Sequence, residues 1–250
     1  KDLYYDNLPE SLDGLRLCHA SDLHITADTR NSEAVADALR SVEADLYLLT
    51  GDLIHGPRGI AALDRWLSGL VELIRPAFAV LGNAEHKRQI NTGAVIELLR
   101  RLGVTVLNNE ATVADTPQGP IQIIGLDDPH SGHSNPPLAY SKADSGMWTL
   151  VLVHSPEGIL GLEGRRADLV LSGHTHGGQI ILPGIGWISD NTHHSVGLIS
   201  GWYDQDDIRQ KAGVQRGPLG LYVSRGLGTS GWPLRLRCRP ELALLTLRRS

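Results

Sequence analysis

Five short, largely apolar runs in this chain stop at residues able to bind a cation, and that repeated ending constrains the fold more than any other feature. Residues 15–20 lead into Ser21-Asp22, residues 45–50 into Gly51-Asp52 and residues 77–81 into Gly82-Asn83. Further on, residues 150–153 lead into His154 and residues 169–171 into Ser172-Gly173-His174. Runs this short and apolar read as strands buried on both faces. Between the first two, Val35, Ala38, Leu39 and Val42 recur at helical spacing, which makes strand, helix, strand. Parallel strands need such a crossover.

Helical patterns over residues 60–74 and 94–102, the latter stopped by Gly103, continue the alternation. Afterwards strands at 104–107, 121–126, 150–153, 169–171, 219–223 and 242–247 follow with fewer helices between them, which predicts a second sheet. Two mixed β-sheets stacked face to face and flanked by helices give a four-layer α/β/β/α sandwich. Spacing alone leaves one doubly wound sheet as the alternative.

The 250 residues carry no low-complexity linker and no internal repeat, so one domain is expected over residues 13–250, preceded by an N-terminal extension over 1–12. A formal charge of -5 gives no global positive field for gripping nucleic acid. The basic residues Arg225, Arg235, Arg237, Arg239, Arg248 and Arg249 read as a solvated rim. Cys18 and Cys238 make neither a disulfide framework nor a thiolate metal spacing, and Cys18 lies in a strand pattern as a buried thiol. No run of 18 apolar residues is present to span a bilayer.

In open α/β sheets, sites form where strands end, and here Asp22-Leu23-His24 and Gly173-His174-Thr175-His176-Gly177-Gly178 stand at such ends. Asp-x-His and His-x-His point alternate side chains to one side of an extended segment, so two donors converge without a helix. Carboxylate, imidazole and amide oxygen together suit Mn, Fe, Zn or Co, and the lack of thiolate argues against structural zinc. Asp52 has one oxygen for each of two ions, held about 3.5–4 Å apart in two-metal phosphoryl chemistry.

In this order the motifs resemble the calcineurin-like metallophosphoesterase superfamily, whose pattern runs Asp-x-His, Gly-Asp, Gly-Asn-His-Asp/Glu, His and Gly-His-x-His over most of a chain this long. The stretches Ser172–Gln179 and Val223–Ser230 further resemble its YkuE-type branch. The resemblance implies the four-layer sandwich and a dinuclear site, with Mn the favoured metal. It gives Asp22, His24 and His176 to one ion, Asn83, His154 and His174 to the other, and Asp52 to both. It also implies hydrolysis of a phosphodiester or pyrophosphate bond by a metal-bridging hydroxide, with catalytic roles for Asp52, Asn83 and His174. The alternative is a catalytically silent metal-binding module of the same fold.

One position departs from the pattern. Where the family has Gly-Asn-His-Asp/Glu, with the His donating a proton to the leaving oxygen, this chain reads Gly82-Asn83-Ala84-Glu85-His86. In one reading the leaving group is itself a phosphate, which departs unprotonated because its second pKa is about 6. UDP-2,3-diacylglucosamine pyrophosphatases of the same superfamily also lack that His, so a phosphorylated small molecule or a nucleotide-linked lipid is the expected substrate. In another, His86 or His55 supplies the proton.

Other residues stand out less. Asp127 and Asp128 precede a turn-rich loop, Pro129–His133, whose composition reads as a solvated turn, with cover over the site as the alternative. His193 and His194 fall in an irregular stretch over 182–217, where Trp187, Trp202 and Tyr203 are candidates for an apolar groove. Arg225, between a strand and a Gly-rich turn, is a candidate phosphate clamp, and His19 a core histidine. The branch resemblance implies export or membrane association through a removed N-terminal segment, with peripheral membrane contact; a cytoplasmic location is the alternative.

Overall fold

Leu46, Tyr47, Leu48 and Leu49 show why these runs fold as they do. In an extended chain alternate side chains point to opposite faces. Leu46 and Leu48 enter one core and Tyr47 and Leu49 another, all of them buried. The same alternation sends Leu150 and Leu152 one way and Val151 and Val153 the other. Each such strand is covered on both sides, which requires more than two layers.

The computed structural model describes residues 1–26, 30–188, 191–193 and 196–250. In chain order the strands are β1 (Asp2–Tyr5), β2 (Arg16–Ala20), β3 (Leu46–Thr50), β4 (Ala77–Val80), β5 (Val104–Val106), β6 (Glu110–Thr116) and β7 (Gly119–Gly125). They continue with β8 (Thr149–Leu152), β9 (Leu169–Ser172), β10 (Ile181–Leu182), β11 (Gly186–Trp187), β12 (Gly201–Asp204), β13 (Gly220–Val223) and β14 (Ala243–Arg249). One six-stranded sheet has the order β1-β14-β2-β3-β4-β5, the other β12-β13-β9-β8-β7-β6, and β10 with β11 forms a separate hairpin. Both large sheets are mixed: β2 to β5 and β7, β8, β9, β13 run parallel, with antiparallel partners at β14, β6 and β12.

The helices α1 (Arg30–Arg40), α2 (Gly59–Ser68) and α3 (Thr92–Arg101) cover the outer face of the first sheet through Leu39, Leu63, Leu67, Val95 and Leu99. On the second sheet, the outer core includes Ala139 of α4 (Pro136–Ala139), Ile208 of α5 (Gln205–Ala212), and Ile159 and Leu162 of a 3-10 segment. Between the sheets lie Leu17, Leu48, Phe78, Ile121, Leu150, Leu171 and Leu245. The fold is the four-layer sandwich. No helix of the described residues is long and apolar enough to cross a membrane.

Two sequence expectations change. Residues 1–12 are not separate from the domain: β1 pairs with β14, and Leu3, Tyr5, Leu8 and Leu12 are buried between the sheets. The alternation of Leu3 and Tyr5 is a two-residue signal, too short to recognise alone. The stretch 182–217 is not irregular throughout, because it contains β11, β12 and α5. Asp204 caps that helix by accepting from the Asp207 amide at 2.9 Å, and Gly213 ends it in the left-handed conformation.

Candidate metal centre

Strands of both sheets end at the same place, so the polar residues that follow them meet across the gap between the sheets. The His154 ring reaches Thr50 of the first sheet, where Nδ1 lies 2.7 Å from the carbonyl oxygen. From the second sheet the His174 amide donates to Asp22 at 3.0 Å. The approach depends on missing side chains. A Cβ on Gly173 would strike Ser21 and Asp22, and one on Gly82 would strike Asp52.

Six of the seven candidate ligands are buried, the most exposed of these being His24 at 8%. Asn83 is half-buried. Asp22 Oδ1 lies 3.3 Å from His176 Nε2, and His24 Nε2 lies 3.2 Å from His176 Nε2 and 3.4 Å from Asp52 Oδ2. The other oxygen of Asp52 lies 3.3 Å from His154 Nε2, which is itself 3.2 Å from Asn83 Oδ1 and 3.2 Å from His174 Nδ1. Two groups result whose donor atoms lie within 4.8 Å of one another: Asp22, His24 and His176, and Asp22, Asp52 and His154. Asn83 and His174 flank the second.

The electrostatics fit divalent cations. Among the described residues, the ion-pair partners of Asp22 and Asp52 are histidines rather than Lys or Arg. Two buried carboxylates so close need positive charge between them. Burial opposes ionisation of both, yet the surrounding imidazoles hold them below their usual values. Burial lowers His24 and His174, and takes His176 to about 4, which leaves neutral rings with a lone pair to offer. His154 is the exception: burial lowers it, but the charge and hydrogen bond of Asp52 push it well above the usual value. Its Nδ1–H on Thr50 O fixes the tautomer that points Nε2 into the cluster.

The backbone is strained at the same points. Nine described non-glycine residues have positive φ, and five of them are Asp22, His24, Asp52, His174 and His176. Each such conformation costs on the order of 1–3 kcal/mol and persists where surrounding contacts enforce it, most often at functional sites.

The sequence alone left Glu85 and Arg235 without a role at the site. Glu85, fully buried, accepts the amides of Asp52, Leu53, Ile54 and Gly82 at 2.9–3.1 Å and so ties together the turns after β3 and β4. Its place in a Gly-Asn-x-Glu turn behind an apolar strand was the available clue. Arg235 lies 3.2 Å from His176 Nδ1, and Asn191 O lies 2.8 Å from His174 Nε2. The His130 ring sits 4.5 Å from that of His174 and stacks on His193, so the Pro129–His133 loop lies against the centre and is not the solvated turn its composition suggests. His194 falls outside the described residues.

Ala84 is buried and its amide donates to Asp52 Oδ1 at 2.7 Å, so the position of the missing acid holds only a methyl group. His86 pairs with Asp127 at 2.7 Å and stacks on His133, whereas exposed His55 stands edge-on to His24. Arg225 is engaged by Glu241 at 3.1 Å, which gives its guanidinium an anion already. Trp202 and Tyr203 line no common groove with Trp187, because they alternate on β12, Trp202 towards the inter-sheet core and Tyr203 towards the outer one. His19 is fully buried, with Nε2 2.8 Å from Thr50 Oγ1.

A four-layer sandwich whose strand ends gather carboxylates and imidazoles offers a site for metal ions, and the family that the sequence matches is one of metal-dependent hydrolases of phosphoric esters. The chain belongs to the calcineurin-like phosphoesterase family, which matches residues 15–178. It is 31% identical to the uncharacterized metallophosphoesterase YkoQ of Bacillus subtilis, over 91% of this chain and 82% of that protein. It is 35% identical to the phosphodiesterase YaeI of Escherichia coli, over 86% and 74%. It is 27% identical to the UDP-2,3-diacylglucosamine pyrophosphatase LpxG of Chlamydia trachomatis, over 96% and 86%.

Proposed function

We propose that the chain cleaves a pyrophosphate bond, or a diester with an equally good leaving group, at a centre in which Asp22, His24 and His176 hold one divalent ion, Asn83, His154 and His174 a second, and Asp52 both. When bound, such ions acidify a water molecule and polarise the phosphoryl oxygens. The protein contributes placement. Asp52 turns Oδ2 towards His24 and Oδ1 towards His154, and the Ala84 amide fixes that orientation. Burial keeps the His174 and His24 rings neutral, so each has a lone pair to offer an ion.

The observation that carries the pyrophosphate reading is Ala84. With no proton donor there, a leaving group that departs as an anion is favoured, and a phosphate with a second pKa of about 6 does so at neutral pH. The name of the LpxG relative supports the same bond and suggests a nucleotide-linked lipid such as UDP-2,3-diacylglucosamine as substrate. A cavity of about 500 Å³ beside His24, lined by Leu23, Ile25, Val35, Leu227 and Pro233 and also by the polar Thr26, Ser32, His55 and Thr229, offers a mixed wall for such a molecule.

The buried His86–Asp127 pair supports a second reading in which His86 donates the proton. Hydrolysis of aryl phosphodiesters of graded leaving-group pKa, with Mn as the added metal, separates the two. Without a donor the rate falls steeply as the leaving group becomes more basic, and nucleotide-sugar pyrophosphates are cleaved best. A flat dependence contradicts this reading and favours His86; no turnover of any substrate favours a silent module.

A further inference from the structure

Six of the twelve exposed large hydrophobic residues described in this chain lie in two short stretches: Ile185, Trp187 and Ile188 in the first, Trp232, Leu234 and Leu236 in the second. Ile185 is 76% exposed and Trp232 72%. The stretches are joined. The Ile181 amide donates to Leu236 O and the Leu236 amide to Gln179 O, both at 3.0 Å. Gln179, buried, donates through Nε2 to Ser230 O and Trp232 O, each at 3.0 Å, and accepts the Ser230 amide at 2.9 Å. The apolar tip is therefore held by the segment that carries His176, and Arg235 reinforces the tie by bonding both His176 O and the carbonyls of Arg225 and Gly226.

The charge within these two stretches is one-sided. Residues 180–188 and 229–239 hold three arginines and no carboxylate, in a chain whose formal charge is -5. Arg235 faces inward, while Arg237 and Arg239 are exposed beside Leu236 and Cys238. Tryptophan settles at headgroup depth, aliphatic side chains enter the acyl boundary and arginine meets lipid phosphate. A symmetric contact with a second copy would instead set these two stretches against themselves, arginine against arginine.

We propose that this tip docks the protein on an anionic lipid bilayer. Thr229, Gly231 and Pro233 of the second stretch also line the cavity beside His24, so docking brings the metal centre to the lipid surface. The docking stands or falls separately from the choice of phosphoester, since its readout is vesicle binding and not turnover.

The test uses the full chain with large unilamellar vesicles of phosphatidylcholine, alone or with about one third phosphatidylglycerol, followed by co-sedimentation and tryptophan fluorescence. The expected result is salt-sensitive binding to the anionic vesicles with a blue-shifted emission. The double substitution Ile185→Ser, Trp232→Ser lowers the partition coefficient about tenfold or more. Arg237→Gln and Arg239→Gln each lower it about fivefold on anionic vesicles and leave phosphatidylcholine unaffected. All four side chains are exposed, and an unchanged thermal melt verifies the fold of each variant. Absence of binding to anionic vesicles overturns the proposal, as does binding that these substitutions leave intact. A dimer that the same substitutions disperse overturns it in favour of a second copy.

Discussion

Replacing Glu85 by Gln changes one atom type in a buried turn, yet its consequences are large. The carboxylate divides its acceptors: Oε1 takes the amides of Leu53 and Ile54, and Oε2 those of Asp52 and Gly82. A glutamine keeps one oxygen and presents an NH2 to the other two donors. Two buried amides then lose their acceptor at about 1–3 kcal/mol each, a total of about 2–6 kcal/mol. For a chain of this size, about 4 kcal/mol lowers the melting temperature by about 8–16 °C. Burial and the charge of Asp52 push the Glu85 carboxyl up to about 7. The melts are therefore compared at about pH 8, where the anion is the form present. The turns that loosen carry Asp52 and Asn83, so the stabilisation gained on adding Mn should shrink in the variant as well. Thermal melts of chelator-treated protein, with and without added Mn, measure both effects. A Glu85→Gln protein that melts within about 2 °C of the parent, with an undiminished response to Mn, refutes the reasoning.

Other predictions follow from the same geometry. Cation binding must displace the proton that Asp52 holds on His154, so affinity for Mn should rise about tenfold per pH unit until the raised value of His154 is passed; calorimetry in buffers of different ionisation enthalpy counts the released proton. Burial lowers the His86 pKa, but the hydrogen bond and charge of Asp127 outweigh it and leave the value above 6.5. A raised histidine value stabilises the fold fully below 6.5 and ceases to do so as pH climbs through the folded value. Asp127→Asn should therefore cost about 1–3 kcal/mol near pH 6 and much less near pH 9, as read by denaturant titration. Leu48, fully buried between the sheets, should cost about 2–5 kcal/mol when replaced by Ala, without altering the response to Mn.

The sequence made the central strands legible because each is a continuous apolar run with its own polar ending. A strand buried on both faces needs no partner sequence to be recognised. The same locality exposed the Asp-x-His and His-x-His donors, and the structure gathers those side chains with Asp52, Asn83 and His154 around two adjoining groups. Elements with short or half-exposed patterns stayed hidden: β1 rests on Leu3 and Tyr5 alone, and β12 presents neighbouring aromatics to opposite faces. Contacts made at long range were also invisible. Arg235, which reads in the sequence as part of a solvated rim, lies 59 positions from His176 and meets its ring. The left-handed backbone at five candidate ligands cannot be read from Asp and His, which adopt it there because neighbouring turns such as that held by Glu85 impose it.

Metal content and turnover, measured together, test the central claim most directly. Protein dialysed against Mn and then freed of unbound ion should retain about two ions per chain and hydrolyse a nucleotide-sugar pyrophosphate. Asp52→Asn should retain fewer ions and lose hydrolysis. Retained Mn-dependent hydrolysis in Asp52→Asn, or a parent chain that turns over with no ion bound, would contradict the account.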